Sequence, residues 1–143
     1  MRVSLSDRLR LLAARHLPFV RPRTSANRQA LLRLRPVRNG AIQWQENGAG
    51  EAELNIPYRK DRWARLVAVL VHLPEVRKVQ LDEVGTYVWR LCDGEHTVDA
   101  IIRAMTREYR MNRAEMEASV ASYLQMLAQR RFIGFYERRG VQG

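Results

Sequence analysis

Cysteine is nearly absent from this chain: Cys92 stands alone among 143 residues. An internal disulfide is thereby excluded, which suits a reducing compartment. Histidine is almost as scarce. His16, His72 and His96 fall in three separate segments, and with one cysteine they give no metal-ligand spacing. No long hydrophobic run exists either. The apolar stretch "LVAVLVHL", Leu66 to Leu73, is far shorter than the ~20 residues a membrane span needs. In "RLRLLAARHL", Arg8, Arg10 and Arg15 interrupt any secretory core. These absences predict a soluble, cytoplasmic protein with no transmembrane segment.

Acid is what the N-terminal part lacks. Residues 1–38 hold ten arginines and a single acid, Asp7, for a net +9. The remaining residues hold 15 basic and 14 acidic side chains, net +1 of the chain's total of +10. The folded part is therefore nearly neutral. A basic extension attracts nucleic acid, an anionic membrane surface or an acidic partner, or it is simply a solvated arm. The composition is globular, with 46% apolar and 28% charged residues. The length suits one core carrying an extension.

The periodicity supplies the elements. Residues 4–16 have leucines on one stripe, ended by Pro18 and Pro22, and Thr24 to Leu34 reads as a second short helix before Pro36. "AIQWQENGAGEAELNIP" reads as a β-hairpin: Ile42 and Trp44 alternate with polar residues, "ENGAGE" is turn chemistry, and Leu54 and Ile56 alternate on the return. Asp61 to Leu73 has Trp63, Leu66, Val67, Leu70 and Val71 at helical spacing. Arg77 to Leu81 alternates as a third strand. Asp82 then caps a helix whose apolar face is Val84, Tyr87, Val88 and Leu91, and Asp93-Gly94 stops it. Thr97 caps the next helix, with Val98, Ile101, Ile102, Met105 and Tyr109 inward. Asn112 opens the third, with Met116, Val120, Tyr123, Leu124 and Leu127 as its apolar face and Ala118, Ser122 and Gln125 outward. Phe132, Ile133 and Phe135 form a short extended segment after it. A hairpin, a third strand and three helices make an α+β inventory, that of a winged helix-turn-helix module with a basic helical extension at its N-terminus.

Catalytic chemistry is hard to find in this pattern. Cys92 and His96 are separated by a helix stop, and a nucleophile pair also needs an orienting group and an oxyanion donor. A buried, inert thiol is the better reading of Cys92. There is no phosphate loop, dinucleotide fingerprint or serine elbow. No catalytic constellation is found, and no cofactor is expected. A winged helix invites a nucleic-acid reading, yet the third helix sets Arg113 against Glu115 and Glu117, a poor footprint for DNA. The arginine arm is left as the source of any non-specific affinity.

The stretch "LDEVGTYVWRLCDGEHTVDAI" resembles the PqqD family. The matching positions are Leu81, Asp82, Gly85, Val88, Trp89, Leu91, Asp93, Gly94, Thr97, Val98 and Ile101, with Phe132 and Ile133 matching the family's ending. The likeness covers about Arg77 to Phe135. It implies a recognition domain that holds the leader of a ribosomally made precursor peptide and presents it to a modifying enzyme, often a radical S-adenosylmethionine protein. The leader adds as a strand beside the third strand and lies against the third helix, by β-augmentation. Carried onto this chain, the peptide-binding candidates are Lys78, Val79 and Gln80 on the strand and Ser119, Tyr123 and Met126 on the helix.

The charge shift sets off an arginine-rich extension at 1–35, and the recognition domain is expected over residues 36–137. Residues 58–76 form an insert where short family members have only a turn. A nucleic-acid binder and a structural adaptor packing through Asp61 to Leu73 are the competing readings. On the strand-addition reading, replacing Val79 by proline removes a ladder N–H and abolishes peptide binding while the fold survives.

Overall fold

A computed structural model describes residues 25–57 and 76–138. The expected helices at 4–16 and Asp61 to Leu73 lie outside the described residues, as do His16 and His72. The described chain runs α1 (Ser25–Arg33), β1 (Arg35–Arg38), β2 (Gln43–Glu46), β3 (Ala52–Pro57), β4 (Val76–Gln80), α2 (Glu83–Leu91), α3 (Val98–Tyr109), α4 (Arg113–Gln129) and β5 (Ile133–Tyr136). Among the described residues the fold is α+β, with four helices and two small antiparallel sheets. It divides into two compact units, residues 40–87 and the flanking residues up to 39 and from 88 on.

In the unit of residues 40–87, the sheet order is β2-β3-β4. The hairpin is closed as its turn chemistry predicts. Asn47 Oδ1 accepts the N–H groups of Ala49 at 2.9 Å and Glu51 at 3.0 Å. Gly50 takes a positive φ of 76°, a conformation that costs glycine nothing. Trp44 faces Leu54, and Leu54 faces Val79. Ala52 and Leu54 are fully buried. Asp82 Oδ1 accepts the N–H of Gly85 at 2.8 Å, the cap expected at the start of α2. Thr86, also fully buried, accepts the N–H of Ala52 on its hydroxyl at 2.8 Å. The neighbouring Ala52 carbonyl takes the N–H of Leu81 at 2.8 Å. One β3 residue is thus tied both to the end of β4 and to the first turns of α2.

In the other unit, β1 pairs with β5, matching Val37 to Gly134 and Arg38 to Ile133. Its other side meets the turn after α2: Gly94 N–H donates to Pro36 O at 2.9 Å and Arg38 N–H to Cys92 O at 3.0 Å. Pro36 was legible as a helix stop, but not as part of a strand. It fits because this side of the ladder asks only for its carbonyl. The Arg38 guanidinium donates to the carbonyls of Trp89 and Arg90, both at 2.9 Å, and so caps the C-terminal end of α2 from far away in sequence. α3 packs on α4 and on α1. Thr97 caps α3 through the N–H of Ala100 at 3.1 Å, and Leu34 O takes the N–H of Val98 at 2.8 Å.

The α3 stripe of Val98, Ile101, Ile102 and Met105 is fully buried. On α4, Met116, Val120, Leu124 and Leu127 are buried as expected. Ser122, expected to face outward, is also buried. It lies between Val120 and Leu124 on a helix that hides more than one stripe. α4 ends in a Schellman arrangement: Phe132 N–H bonds Leu127 O at 2.9 Å and Arg131 N–H bonds Ala128 O at 2.9 Å. Arg131 takes the left-handed position, with φ of 61°, where glycine is usual. Phe132 and Ile133 are buried, and Phe135 is half-buried in β5.

Thr86→Val keeps the shape of the side chain and leaves the buried Ala52 N–H without its acceptor. The expected loss is about 1–3 kcal/mol of stability in urea unfolding.

Candidate functional site

β4 is an edge strand of its sheet, and which of its main-chain groups face outward follows from the register. Residues directly opposite in an antiparallel pair alternate between hydrogen-bonded and non-hydrogen-bonded. Glu53 lies opposite Gln80, so Ala52 lies opposite Leu81, and that pair is bonded. Leu54 with Val79 and Ile56 with Arg77 are therefore the bonded pairs further along. Val76, Lys78 and Gln80 turn their N–H and C=O groups to the other edge. Among the described residues no strand pairs with that edge.

The side chains follow the same parity. Val79 lies on the face of the buried Leu54 and is half-buried, whereas Lys78 and Gln80 lie on the opposite, exposed face. Lys78 Nζ reaches Glu53 Oε1 at 3.0 Å, and Gln80 donates to Glu51 Oε2 at 2.8 Å. Both contacts are cross-strand and brace the edge without covering its main chain. The Val79→Pro test expected from sequence fails on this geometry. The N–H of Val79 faces β3, so proline there breaks the sheet rather than the open edge. The outward N–H groups belong to Val76, Lys78 and Gln80. No sequence signal distinguished the two parities, because each requires the pairing register.

The three helix candidates share a stripe of α4. Ser119, Tyr123 and Met126 are spaced by four and three residues and are all half-buried, next to the buried Val120, Leu124 and Leu127. Ser119 Oγ donates back to Glu115 O at 2.9 Å. On the same helix, Glu117 holds Arg28 of α1 in a two-pronged pair, with Nη2 to Oε2 at 2.7 Å. Arg113 reaches Asp99 of α3.

The turn between α2 and α3 is structural chemistry. Cys92 is fully buried; burial, with a smaller push from Asp93 and against a pull from Arg38, raises its thiol to about 12. The burial expected of this thiol is thus present. Asp93 Oδ1 accepts the N–H groups of Glu95 at 2.8 Å and His96 at 3.0 Å, and Oδ2 lies 2.8 Å from His96 Nδ1. Burial works against its charge, but the His96 and Glu95 N–H groups and the His96 ring together hold the carboxyl below its ordinary value. Gly94 has φ of 84°, and a β-carbon there would meet the Tyr136 hydroxyl at 3.3 Å. Tyr136 donates that hydroxyl to Gly94 O. Among the described residues no group of three or more His, Cys, Asp or Glu side chains is placed to hold a metal ion. Nor is any helix there long and apolar enough to cross a membrane.

The comparisons with known proteins converge on one family. The model of Coenzyme PQQ synthesis protein D (PqqD) matches residues 68–133. A PqqA binding protein of Rhodopseudomonas palustris (strain HaA2) is 33% identical over 82 residues, covering 57% of this chain and 74% of the relative. PqqA binding proteins of strains BisB5 and TIE-1 are 32% and 34% identical over the same extents. No solved structure gives a significant match. The chain belongs to the PqqD family.

The carboxylate of Asp93 gives the α2–α3 turn a definite pH response. Its folded-state affinity for a proton is lowered, so its contribution is present above the ordinary carboxylate range, about pH 4, and fades as pH falls through the depressed value. Asp93→Ala should cost about 1 kcal/mol at neutral pH. The gap from the parent protein should close on acidification, as read by denaturant unfolding across pH.

Proposed function

We propose that this chain is a non-enzymatic recognition protein that binds the leader of a ribosomally synthesised precursor peptide by strand addition to β4 and presents it to a modifying enzyme. The observation that carries the reading is the outward parity of β4: Lys78 and Gln80 offer N–H and C=O groups along an edge that no described strand occupies. Main-chain bonds of this kind supply affinity, and the alternate side chains supply register. The names of the relatives, PqqA binding proteins, point the same way. Val79 gives the added strand an apolar neighbour. Ser119, Tyr123 and Met126 enter as a second contact segment on the strength of the family resemblance.

On this reading residues 36–137 are the recognition domain, a winged-helix type with an insert at 58–76. Residues 1–35 are a basic arm whose α1 is tied to α4 through Arg28 and Glu117. The protein works in the cytoplasm, where a precursor peptide is made, beside an enzyme of the radical S-adenosylmethionine type. It needs no cofactor, because holding a strand requires none. The nucleic-acid reading has less behind it. α4 carries Glu115 and Glu117 among its exposed or half-exposed side chains, and Arg113 is paired to Asp99.

Proline substitution separates the edge from the sheet. Lys78→Pro and Gln80→Pro each remove an outward N–H and are tolerated as edge prolines. Either should abolish binding of the cognate precursor peptide, measured by calorimetry, with the circular dichroism unchanged. Val79→Pro should instead lower the unfolding midpoint. Undiminished binding in both folded edge variants would sink the assignment.

A further inference from the structure

We infer that the peptide taken by this edge carries an acidic side chain two residues away from an apolar one, and that Arg77 reads the acid. The inference rests on the strand-addition reading above. Arg77 and Val79 lie on the same face of β4, opposite Ile56 and Leu54. Their main-chain groups point to β3, so toward a strand added antiparallel they form the non-hydrogen-bonded pairs. In such pairs the facing side chains come closest, with Cα atoms about 4.5 Å apart, and opposite charges or matched apolar groups there stabilise the pairing. A residue opposite Val79 lies beside a half-buried apolar side chain. A residue opposite Arg77 lies beside an exposed guanidinium.

Three further observations single out Arg77. Lys78, the neighbouring cation, is already engaged with Glu53 at 3.0 Å and lies on the other face. Among the described residues no acidic side chain is paired with Arg77. The two carboxylates of the sheet's exposed face, Glu51 and Glu53, are met by Gln80 and Lys78. Among the described residues of this sheet, the cation left to choose a partner is thus on the apolar side of the strand. It sits two residues before the one position that asks for a hydrophobic neighbour. The ligand is therefore an alternating strand with one apolar and one acidic residue on a common face. The order of the two also reports its direction. Apolar before acidic in the peptide means an antiparallel addition, and the reverse order means a parallel one.

The test uses the full chain and a displayed library of random twelve-residue peptides. Selection should enrich peptides with an acid two positions from a Val, Ile, Leu or aromatic residue. An enriched peptide, made synthetically, should bind Arg77→Glu about tenfold more weakly than the parent. Replacing its acid by lysine should weaken binding to the parent and restore it to Arg77→Glu. Equal binding to the parent and to Arg77→Glu, with binding lost in Lys78→Pro, would overturn the charge rule and leave the edge assignment standing. Peptides that bind both Lys78→Pro and Gln80→Pro unchanged would overturn the edge assignment itself. A selection yielding no enriched sequence would count against both.

Discussion

The hydroxyl of Thr86 takes the N–H of Ala52 in a place closed to water, and the orientation of β4 hangs on that bond. Ala52 in turn accepts the N–H of Leu81. A slip of one residue between β3 and β4 would break that pair and orphan a buried group, at a cost of about 1–3 kcal/mol. The same slip would move Val79 to the exposed face and bring Lys78 to the buried one. The register is therefore fixed from inside the sheet, and the chemistry of the outer edge follows. Nothing on the edge itself needs to specify which N–H groups are available.

Much of this architecture could be read from the chain. Asp82, Thr97 and Asn112 were recognisable as caps because a short polar side chain before an apolar helical stripe has few other uses. The hairpin declared itself by alternation and by Asn-Gly. What escaped was whatever depends on partners distant in sequence. β1 was hidden behind Pro36, and its ladder needs β5, which lies almost a hundred residues later. The end of α4 was hidden because Arg131 occupies a left-handed position for which sequence predicts glycine. Ser122 was placed outward because one apolar stripe accounted for α4, whereas the helix buries more of its surface than one stripe covers. Of the candidate site, the strand residues were carried over from the resemblance. Their division into inward and outward main chain was not, since parity is a property of the pairing.

The basic character of the N-terminal part changes meaning once part of it is seen folded. Arg28 bonds Glu117 with both prongs, and Arg38 closes the end of α2 through two carbonyls. These two cations serve the fold. A planar guanidinium suits both tasks: Arg28 uses two nitrogens side by side, and Arg38 spreads Nη1 over two carbonyls. The charge count along residues 1–38 therefore overstates what is available to a polyanion.

A strand edge with outward N–H and C=O groups is also where one protein copy can pair with another and aggregation begins. Here the strand is Val-Arg-Lys-Val-Gln. If two copies met antiparallel about its centre, Lys78 would face its own copy, while Arg77 would face Val79. Like charges directly opposite disfavour pairing. Lys78 thus disfavours self-pairing along this edge. Where the strand points its central side chain therefore bears on how the sheet stays apart from its own copies.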